Sequence, residues 1–335
     1  MDNILSYNYN ISDYIFSVMK VNRLVSSICR SKWLIEPRTA MVERQRAVKF
    51  LNGDYAQAEE PEVDKPYAIK AGSYFEFSDD NQFDTAEVGS VAIISICGTI
   101  MKYDYCGSPG TDTLSSWLKS AIASPQIDAI VLCINSGGGS VEGTGEFADL
   151  IKSSTKTILA FCDGLMASAA YWIGCSAKEV WASHATCEFG SIGTAVCFMD
   201  DSKYLEDNGF KEMYFNADSS PDKNQDVIKA IEGDATQLKE NIINPTNEIF
   251  MDTVKANRKL KLKTVTIGDE DFEEPLTGKV YLSKTAMSFG LIDGICTMDE
   301  VIERALELSE PPTPKQTEII NTQTRKHLKF QYNGN

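Results

Sequence analysis

The chain of 335 residues has no apolar run long enough to span a bilayer, which takes about 18 residues. Its most apolar stretch, Val91–Ile100 (VAIISICGTI), has the length of a strand. The N-terminal sequence MDNILSYNYNISDYIF lacks the basic region, apolar block and small-residue cleavage site of a secretory signal. We therefore expect no membrane partner and no secretion.

Basic residues are few compared with acidic ones. The chain contains 32 Lys and Arg residues and 48 Asp and Glu residues, which gives a formal net charge of −16. Such a balance repels phosphate backbones, and no basic stripe with interleaved aromatic residues compensates for it. The sequence therefore predicts no nucleic-acid partner, and it disfavours direct attraction to an anionic membrane.

Paired cysteines and clustered histidines are also missing. The nine cysteines form no CxxC pair, and several lie inside apolar runs: Cys97, Cys133, Cys162 and Cys197. This pattern is typical of free thiols in a reducing, cytoplasmic compartment. The two histidines, His184 and His327, lie far apart in the sequence, and we interpret His184 as a loop residue. We expect no metal site and no cofactor, and a histidine-based catalytic triad is disfavoured.

Three segments follow from changes in composition along the chain. Residues 1–88 are predicted to be an N-terminal extension that is a propeptide, a docking segment or neither, with a helical pattern at Asp13–Ile28 and an acidic, proline-containing linker at Ala56–Pro66. Residues 89–310 are predicted to be the main domain. We expect residues 311–335 to be a flexible tail.

The main domain alternates short apolar strands with amphipathic helices. The strand-like runs VAIISI, DAIVLCI, TILAFC and EVWAS are separated by helical patterns. This alternation predicts an α/β fold with a parallel sheet and helical crossovers. A long helical pattern covers about 226–258, and a compact ending follows over Gly278–Ile295.

The first glycine-rich junction, INSGGGS (Ile134–Ser140), comes directly after a strand and before a helix. Glycines allow a tight turn and leave backbone N–H groups open to a small anionic group. Gly138 or Gly139 is therefore a candidate oxyanion donor, and a simple turn is the alternative. No Lys-Ser/Thr pair follows these glycines, so the sequence does not support a phosphate-binding loop for nucleoside triphosphates here.

The second junction, DGLMASAAYWIG, places Ser168 among alanines at the start of a helix. A serine there is either a helix cap or a nucleophile whose alkoxide the helix N-terminus favours. The N–H of Ala169 is then a second oxyanion donor. A third glycine-rich crossing, EFGSIGT, contributes Gly190 and Ser191, which together with Ser136 and Gly137 are predicted to line a substrate site.

Together these motifs resemble the SppA-type (signal peptide peptidase A) serine peptidases of the ClpP/crotonase-like superfamily. The counterparts of the family pattern are SGGG (Ser136–Gly139), ASAAY (Ala167–Tyr171), FGSIG (Phe189–Gly193) and GLIDGI (Gly290–Ile295), in the family's order. The chain departs from the pattern where glycine replaces the proline of SPGG and alanines replace two glycines of ASGGY. The resemblance implies stacked β-α units, Ser168 as nucleophile and a lysine as general base.

Two alignments compete for that lysine. Aligning on the proline of NADSSPDKNQD puts Asn216 at the family's lysine position and predicts an inactive protein. Aligning SSPDKN with the family's SGxxKD puts Lys223 there. Lys223 lies 27 residues before Phe250, close to the family's spacing, whereas Asn216 lies seven residues further away, so we favour Lys223. Lys203 and Lys211 flank a predicted helix and strand and are poorer candidates.

The resemblance thus implies peptide-bond hydrolysis by Ser168 and Lys223, with Gly138, Gly139 and Ala169 around the oxyanion. We expect extended polypeptide substrates that add as a strand near the SGGG loop, and a homo-oligomer. KWLIEPRTA (Lys32–Ala40) is similar to leaders of phage head-maturation proteases, which points to capsid or scaffold proteins as substrates. A cytoplasmic peptidase, an inactive assembly scaffold and an acyl-CoA enzyme of the same fold are the alternatives.

Overall fold

The computed structural model describes residues 33–36, 38–43, 45, 65–70, 73–76, 83–105, 107–197, 202–211 and 213–309. The helix predicted at Asp13–Ile28, most of the Ala56–Pro66 linker and the tail predicted at 311–335 lie outside the described residues.

The strands and helices alternate over most of the described chain. The strands are β1 (Trp33–Ile35), β2 (Tyr67–Lys70), β3 (Ser73–Glu76), β4 (Ser90–Cys97), β5 (Ile127–Ser136), β6 (Gly138–Ser140), β7 (Thr157–Ala167), β8 (Glu179–Ala182), β9 (Glu188–Gly190), β10 (Lys263–Ile267), β11 (Glu270–Glu274), β12 (Val280–Leu282) and β13 (Gly294–Ile295). The helices are α1 (Thr111–Ala123), α2 (Thr144–Lys152), α3 (Ala169–Cys175), α4 (Ser202–Asp207), α5 (Gln225–Ile231), α6 (Thr236–Leu238), α7 (Asn244–Asn257), α8 (Ser283–Phe289) and α9 (Met298–Glu307).

A nine-stranded sheet forms the centre of the fold. Its main path runs β12-β9-β7-β5-β4-β2-β3, and β8 joins β7 to β13. The central strands β4, β5 and β7 are parallel, with Ile94 opposite Leu132 and Leu132 opposite Ala160. All three side chains are fully buried, as expected for strands that helices cover on both faces. The predicted α/β architecture with a parallel sheet is confirmed.

Different helices cover the two faces of the sheet. On one face, α1, α2 and α3 contribute apolar side chains such as Leu114 and Phe147 to the larger core. On the other face, Val301 and Ala305 of α9 pack against the smaller cluster around Val131 and Leu159. The sheet is therefore the rigid layer from which the loops at its carboxyl edge project.

Two contacts hold helix α3 in place. Its Trp172 ring stacks on Phe250 of α7 at 4.9 Å between centroids, with the planes 6° apart. The buried Tyr171 hydroxyl donates a 2.8 Å hydrogen bond to the carbonyl oxygen of Leu291, which lies in the GLIDGI motif. These contacts fix the start of α3, where Ser168 lies.

Two features differ from the sequence predictions. The hairpin of β2 and β3 pairs with β4, so part of the segment before residue 89 belongs to the main sheet. The predicted continuous helix over 226–258 is wrong, because the chain breaks after α5 and resumes at α6, with a π-helical stretch at Lys239–Ile243. Gly233, at φ +103°, marks the break, since a positive φ cannot continue a right-handed helix.

Candidate active site

The candidate site lies at the carboxyl ends of β5, β7 and β9. The SGGG loop (residues 136–139) follows β5, and Ser168 follows β7. Strand β9 pairs with the last part of β7, opposing Ala167 to Gly190. The sheet therefore brings together three of the motifs that the sequence singled out.

Ser168 adopts a strained backbone at the turn from β7 into α3. Its φ of 57° and ψ of −121° lie in a region that non-glycine residues rarely occupy. Two backbone hydrogen bonds hold it: its N–H donates to the Gly190 carbonyl at 2.8 Å, and its carbonyl accepts from Trp172 N–H at 3.0 Å. Strain held in place at a strand-to-helix turn is a common property of functional residues.

The Ser168 hydroxyl is buried and has no hydrogen-bond partner. The residue is 1% exposed, and its Oγ is one of the buried side-chain atoms that lack a partner. Leaving a buried hydroxyl unpaired costs about 1–3 kcal/mol. A buried hydroxyl without a partner in a native fold calls for an explanation, and a role as the nucleophile that attacks a substrate carbonyl is one.

Gly138 lies directly against Ser168. A Cβ built on Gly138 would stand 2.9 Å from both the Ser168 Cβ and the Ala169 backbone nitrogen, and 2.2 Å from the Leu34 carbonyl oxygen. Its φ of +95° also suits glycine alone. Only glycine fits here, so the close approach between the SGGG loop and the start of α3 depends on it.

The predicted oxyanion donors differ in their present partners. The Gly138 N–H donates to the Ser136 Oγ at 3.1 Å, and that hydroxyl donates to the Gly98 carbonyl at 2.5 Å. Gly139 packs against Ile100, whose carbonyl oxygen would lie 1.8 Å from an added Cβ. Ala169 is the first residue of α3, where backbone N–H groups have no acceptor within the helix. The structure thus brings Gly138 and Ala169 together beside Ser168, and the oxyanion roles stay predictions.

The residues predicted to line the substrate site divide into two groups. Ser136 and Gly137 line a cavity of about 460 Å³, together with Leu165. The Gly190 carbonyl oxygen accepts the hydrogen bond from the Ser168 N–H. The Ser191 N–H, in a residue with a φ of 51°, donates a 2.7 Å hydrogen bond to the Lys279 backbone carbonyl oxygen. Gly190 therefore supports the nucleophile turn, and neither Gly190 nor Ser191 is among the residues that line this cavity.

Lys223 lies in an exposed turn before α5. Among the described residues, no hydrogen bond or ion pair connects its ammonium with Ser168. The Asn216 side chain, which the competing alignment put at the lysine position, donates to the Lys223 carbonyl at 3.0 Å. Both alignments therefore point to one exposed turn of the chain, which in a single copy makes no hydrogen bond to the Ser168 hydroxyl.

His184 lies on the exposed turn after β8, with its Nδ1 2.8 Å from the Thr186 Oγ1, and it makes no hydrogen bond to the Ser168 Oγ. Within the described part of the chain, no group of three His, Cys, Asp or Glu side chains could hold a metal ion. In the same ranges, none of the helices combines the length and the apolar character needed to cross a bilayer.

Sequence reasoning missed strand β1. It pairs antiparallel with β6, opposing Leu34 to Gly139 and Ile35 to Gly138. The Glu36 N–H extends the ladder with a 2.6 Å hydrogen bond to the Gly137 carbonyl. The three apolar residues WLI before Glu-Pro are a strand signal, but nothing local in the sequence indicates a partner about 100 residues away.

Comparison with known proteins agrees with the motifs. Residues 151–310 match the sequence profile of Peptidase family S49, and residues 111–186 match that of Clp protease. Protease 4 of Salmonella typhi is 28% identical over 245 residues, which are 72% of this chain and 38% of that protein.

Two phage proteins are also similar. The head-tail preconnector protein GP5 of Enterobacteria phage P21 is 24% identical, over 64% of this chain and 42% of that protein. The capsid assembly protease C of Escherichia phage lambda is 22% identical, over 64% of this chain and 48% of that protein. The chain spans less than half the length of each of these relatives.

Proposed function

Because residues 151–310 match the profile of Peptidase family S49 and residues 111–186 match that of Clp protease, we propose that this protein is an SppA-type serine endopeptidase with a Ser168–Lys223 dyad. One observation carries the proposal: the buried, unpartnered hydroxyl of Ser168 in a strained turn beside Gly138 and the Ala169 N–H. This arrangement is what nucleophilic attack with oxyanion stabilisation requires.

In the proposed reaction, Ser168 Oγ attacks the peptide carbonyl carbon and passes its proton to the neutral amine of Lys223. The Gly138 and Ala169 N–H groups stabilise the tetrahedral oxyanion, which requires the Gly138 N–H to leave Ser136. The C–N bond then breaks as the lysine ammonium returns the proton to the leaving amine. Water hydrolyses the acyl-enzyme, with Lys223 again taking and returning a proton.

The general base must be neutral and close to Ser168. An ordinary lysine is protonated at neutral pH, with a pKa near 10.4, and burial in an apolar site lowers the pKa of such an amine. In one copy the turn of Lys223 is exposed, and its ammonium makes no hydrogen bond to the Ser168 Oγ. We therefore propose that Lys223 of one copy of the chain enters the Ser168 site of a second copy.

The surroundings of Lys223 support this assembly. Large apolar side chains are exposed on the same stretch of chain: Phe210, Met213, Tyr214, Phe215, Val227 and Ile231. Phe215, at 85% exposed, is the extreme case. A concentration of exposed aromatic side chains is typical of a contact between chains.

Capsid or scaffold proteins are the proposed substrates, with a cytoplasmic or prohead setting. The names of the two phage relatives support this choice, as does the leader-like KWLIEPRTA. The alternatives are a cytoplasmic peptidase of broader substrates and an inactive scaffold of the same fold.

The experiment is mass spectrometry of casein incubated with the purified full chain. We expect cleavage by the wild type and by the Lys211→Ala control, and none by Ser168→Ala or Lys223→Ala. An equal mixture of the two inactive variants should cut again, because an assembled pair can combine an intact Ser168 with an intact Lys223. Cleavage by Ser168→Ala would contradict the proposal. Without cleavage of casein or of capsid protein by any variant, the inactive scaffold is the better account.

A further inference from the structure

The edge of the SGGG loop beside Ser168 is already occupied by the chain's own N-terminal part. Strand β1 lies antiparallel on β6, and the Leu34 carbonyl oxygen, the Ser168 Cβ and the Ala169 nitrogen surround one point next to Gly138. An added peptide strand would need the same edge, because a main-chain ladder has room for one partner on each side.

Alternate side chains of β1 enter two different apolar sites. Leu34 is fully buried and belongs to the main core. Ile35 packs on Met101 and Tyr105 in a separate small cluster. Successive side chains of a strand point to opposite faces, so the surroundings of β1 form two pockets for an extended aliphatic sequence.

Ion pairs hold the end of this segment on the site. Arg38 donates from Nε to the Glu36 carboxylate at 2.9 Å and from Nη2 to Glu188 at 2.5 Å. Glu188 is the first residue of β9, which also carries the carbonyl of Gly190 that holds Ser168. The Glu36 carboxylate also accepts from the backbone N–H groups of Arg38 and Thr39.

We infer that the edge of β6 is the peptide-binding cleft and that residues 33–36 occupy it in place of substrate. The cleft takes an extended peptide with a leucine-sized aliphatic residue opposite Gly139 and a second aliphatic residue opposite Gly138. Substrate must displace the segment, so the resting chain is self-inhibited. The inference rests on the proposed function, because it takes Ser168 as the residue that the bound peptide faces.

Peptide binding without chemistry tests this inference. The probe is a fluorescent synthetic peptide, SKWLIEPRTA, which is the sequence of residues 31–40, added to full-length Ser168→Ala protein. Introducing Arg38→Glu into the Ser168→Ala protein should raise its apparent affinity for the peptide about tenfold. An occupied cleft binds the peptide only in the fraction of molecules in which the cleft is open, and the substitution should increase that fraction. The matched control is Arg304→Glu, which breaks the ion pair between α9 and Glu179, the first residue of β8, and should leave the affinity unchanged. The variant peptide SKWDIEPRTA should not bind.

Hydrogen exchange of the full chain gives a second readout. Leu34→Asp places a charge at a fully buried position and should release β1, so that the amide of Gly139, the residue opposite Leu34, exchanges at least about tenfold faster. Unchanged exchange in Leu34→Asp, or equal peptide affinity with and without Arg38→Glu, would overturn the inference. Ser168-dependent casein cleavage combined with such a negative result leaves the proposed function standing. Peptide binding without any cleavage of casein or capsid protein leaves the inference standing and removes the proposed function.

Discussion

The Asn216 side-chain amide donates a 3.0 Å hydrogen bond to the backbone carbonyl oxygen of Lys223. It also donates to the Pro221 carbonyl at 3.3 Å, so one amide ties together both ends of the turn. Asn224, the next residue, has a φ of 63°, which completes the reversal before α5. Asn216 is thus a positioning residue for the proposed general base.

Replacing this amide should reduce catalysis without abolishing it. We expect Asn216→Ala to lower kcat for peptide cleavage about tenfold with KM unchanged, because a small misplacement of a catalytic group costs up to about 100-fold. Asn257→Ala removes a comparable amide hydrogen bond, to Ser176, and should leave kcat unchanged. Steady-state kinetics of peptide cleavage by the two variants measure kcat and KM. A complete loss of cleavage in Asn216→Ala with full activity in Lys223→Ala would contradict the assignment of Lys223 as the general base.

Two glycine-to-alanine changes should differ sharply. Gly138→Ala would bring a methyl group within 2.9 Å of Ala169 N at a φ of +95°, so we expect about 1–3 kcal/mol lower unfolding free energy. Peptide cleavage should fall about 100-fold, as for loss of an oxyanion donor. Gly145→Ala adds its methyl group 3.7 Å from the Trp172 ring and should change stability by less than about 1 kcal/mol. Urea unfolding and activity assays check both, and similar losses in the two variants would refute the close approach at Gly138.

The Glu36 carboxylate gives the N-terminal segment a pH dependence. Burial opposes its ionisation, but hydrogen bonds from the Arg38 side chain and from the Arg38 and Thr39 N–H groups hold its pKa below the ordinary 4.5. A lowered folded pKa means that the stabilisation is fully present above pH 4.5 and is lost as the pH falls through the folded value.

We therefore expect Glu36→Gln to lower the unfolding free energy by about 1 kcal/mol at pH 7, as for loss of a charge-assisted hydrogen bond. The difference from wild type should shrink as the pH falls below 4.5 and through the lowered folded pKa of Glu36. Denaturant unfolding of both proteins across this range measures it. A difference that stays constant with pH would show that the charge on Glu36 contributes nothing.

The sequence predicts the centre of the fold better than its edges. Strands β4, β5 and β7 are continuous apolar runs, a strong local signal for buried parallel strands. Ser168 stands out because small residues surround it at a strand-to-helix junction. Strand β1 could not be predicted, since three residues carry little signal and its partner β6 is about 100 residues away. The break near Gly233 was missed because apolar spacing on both sides continues the helical pattern.

Covalent labelling of the full chain with a fluorophosphonate probe, followed by mass spectrometry, tests the Ser168–Lys223 dyad most directly. The account predicts one adduct, on Ser168, and labelling at least about 100-fold slower in Lys223→Ala than in wild type. The Lys203→Ala and Lys211→Ala controls should label at the wild-type rate. An adduct on another residue, or Lys223→Ala labelling as fast as the controls, would contradict the account.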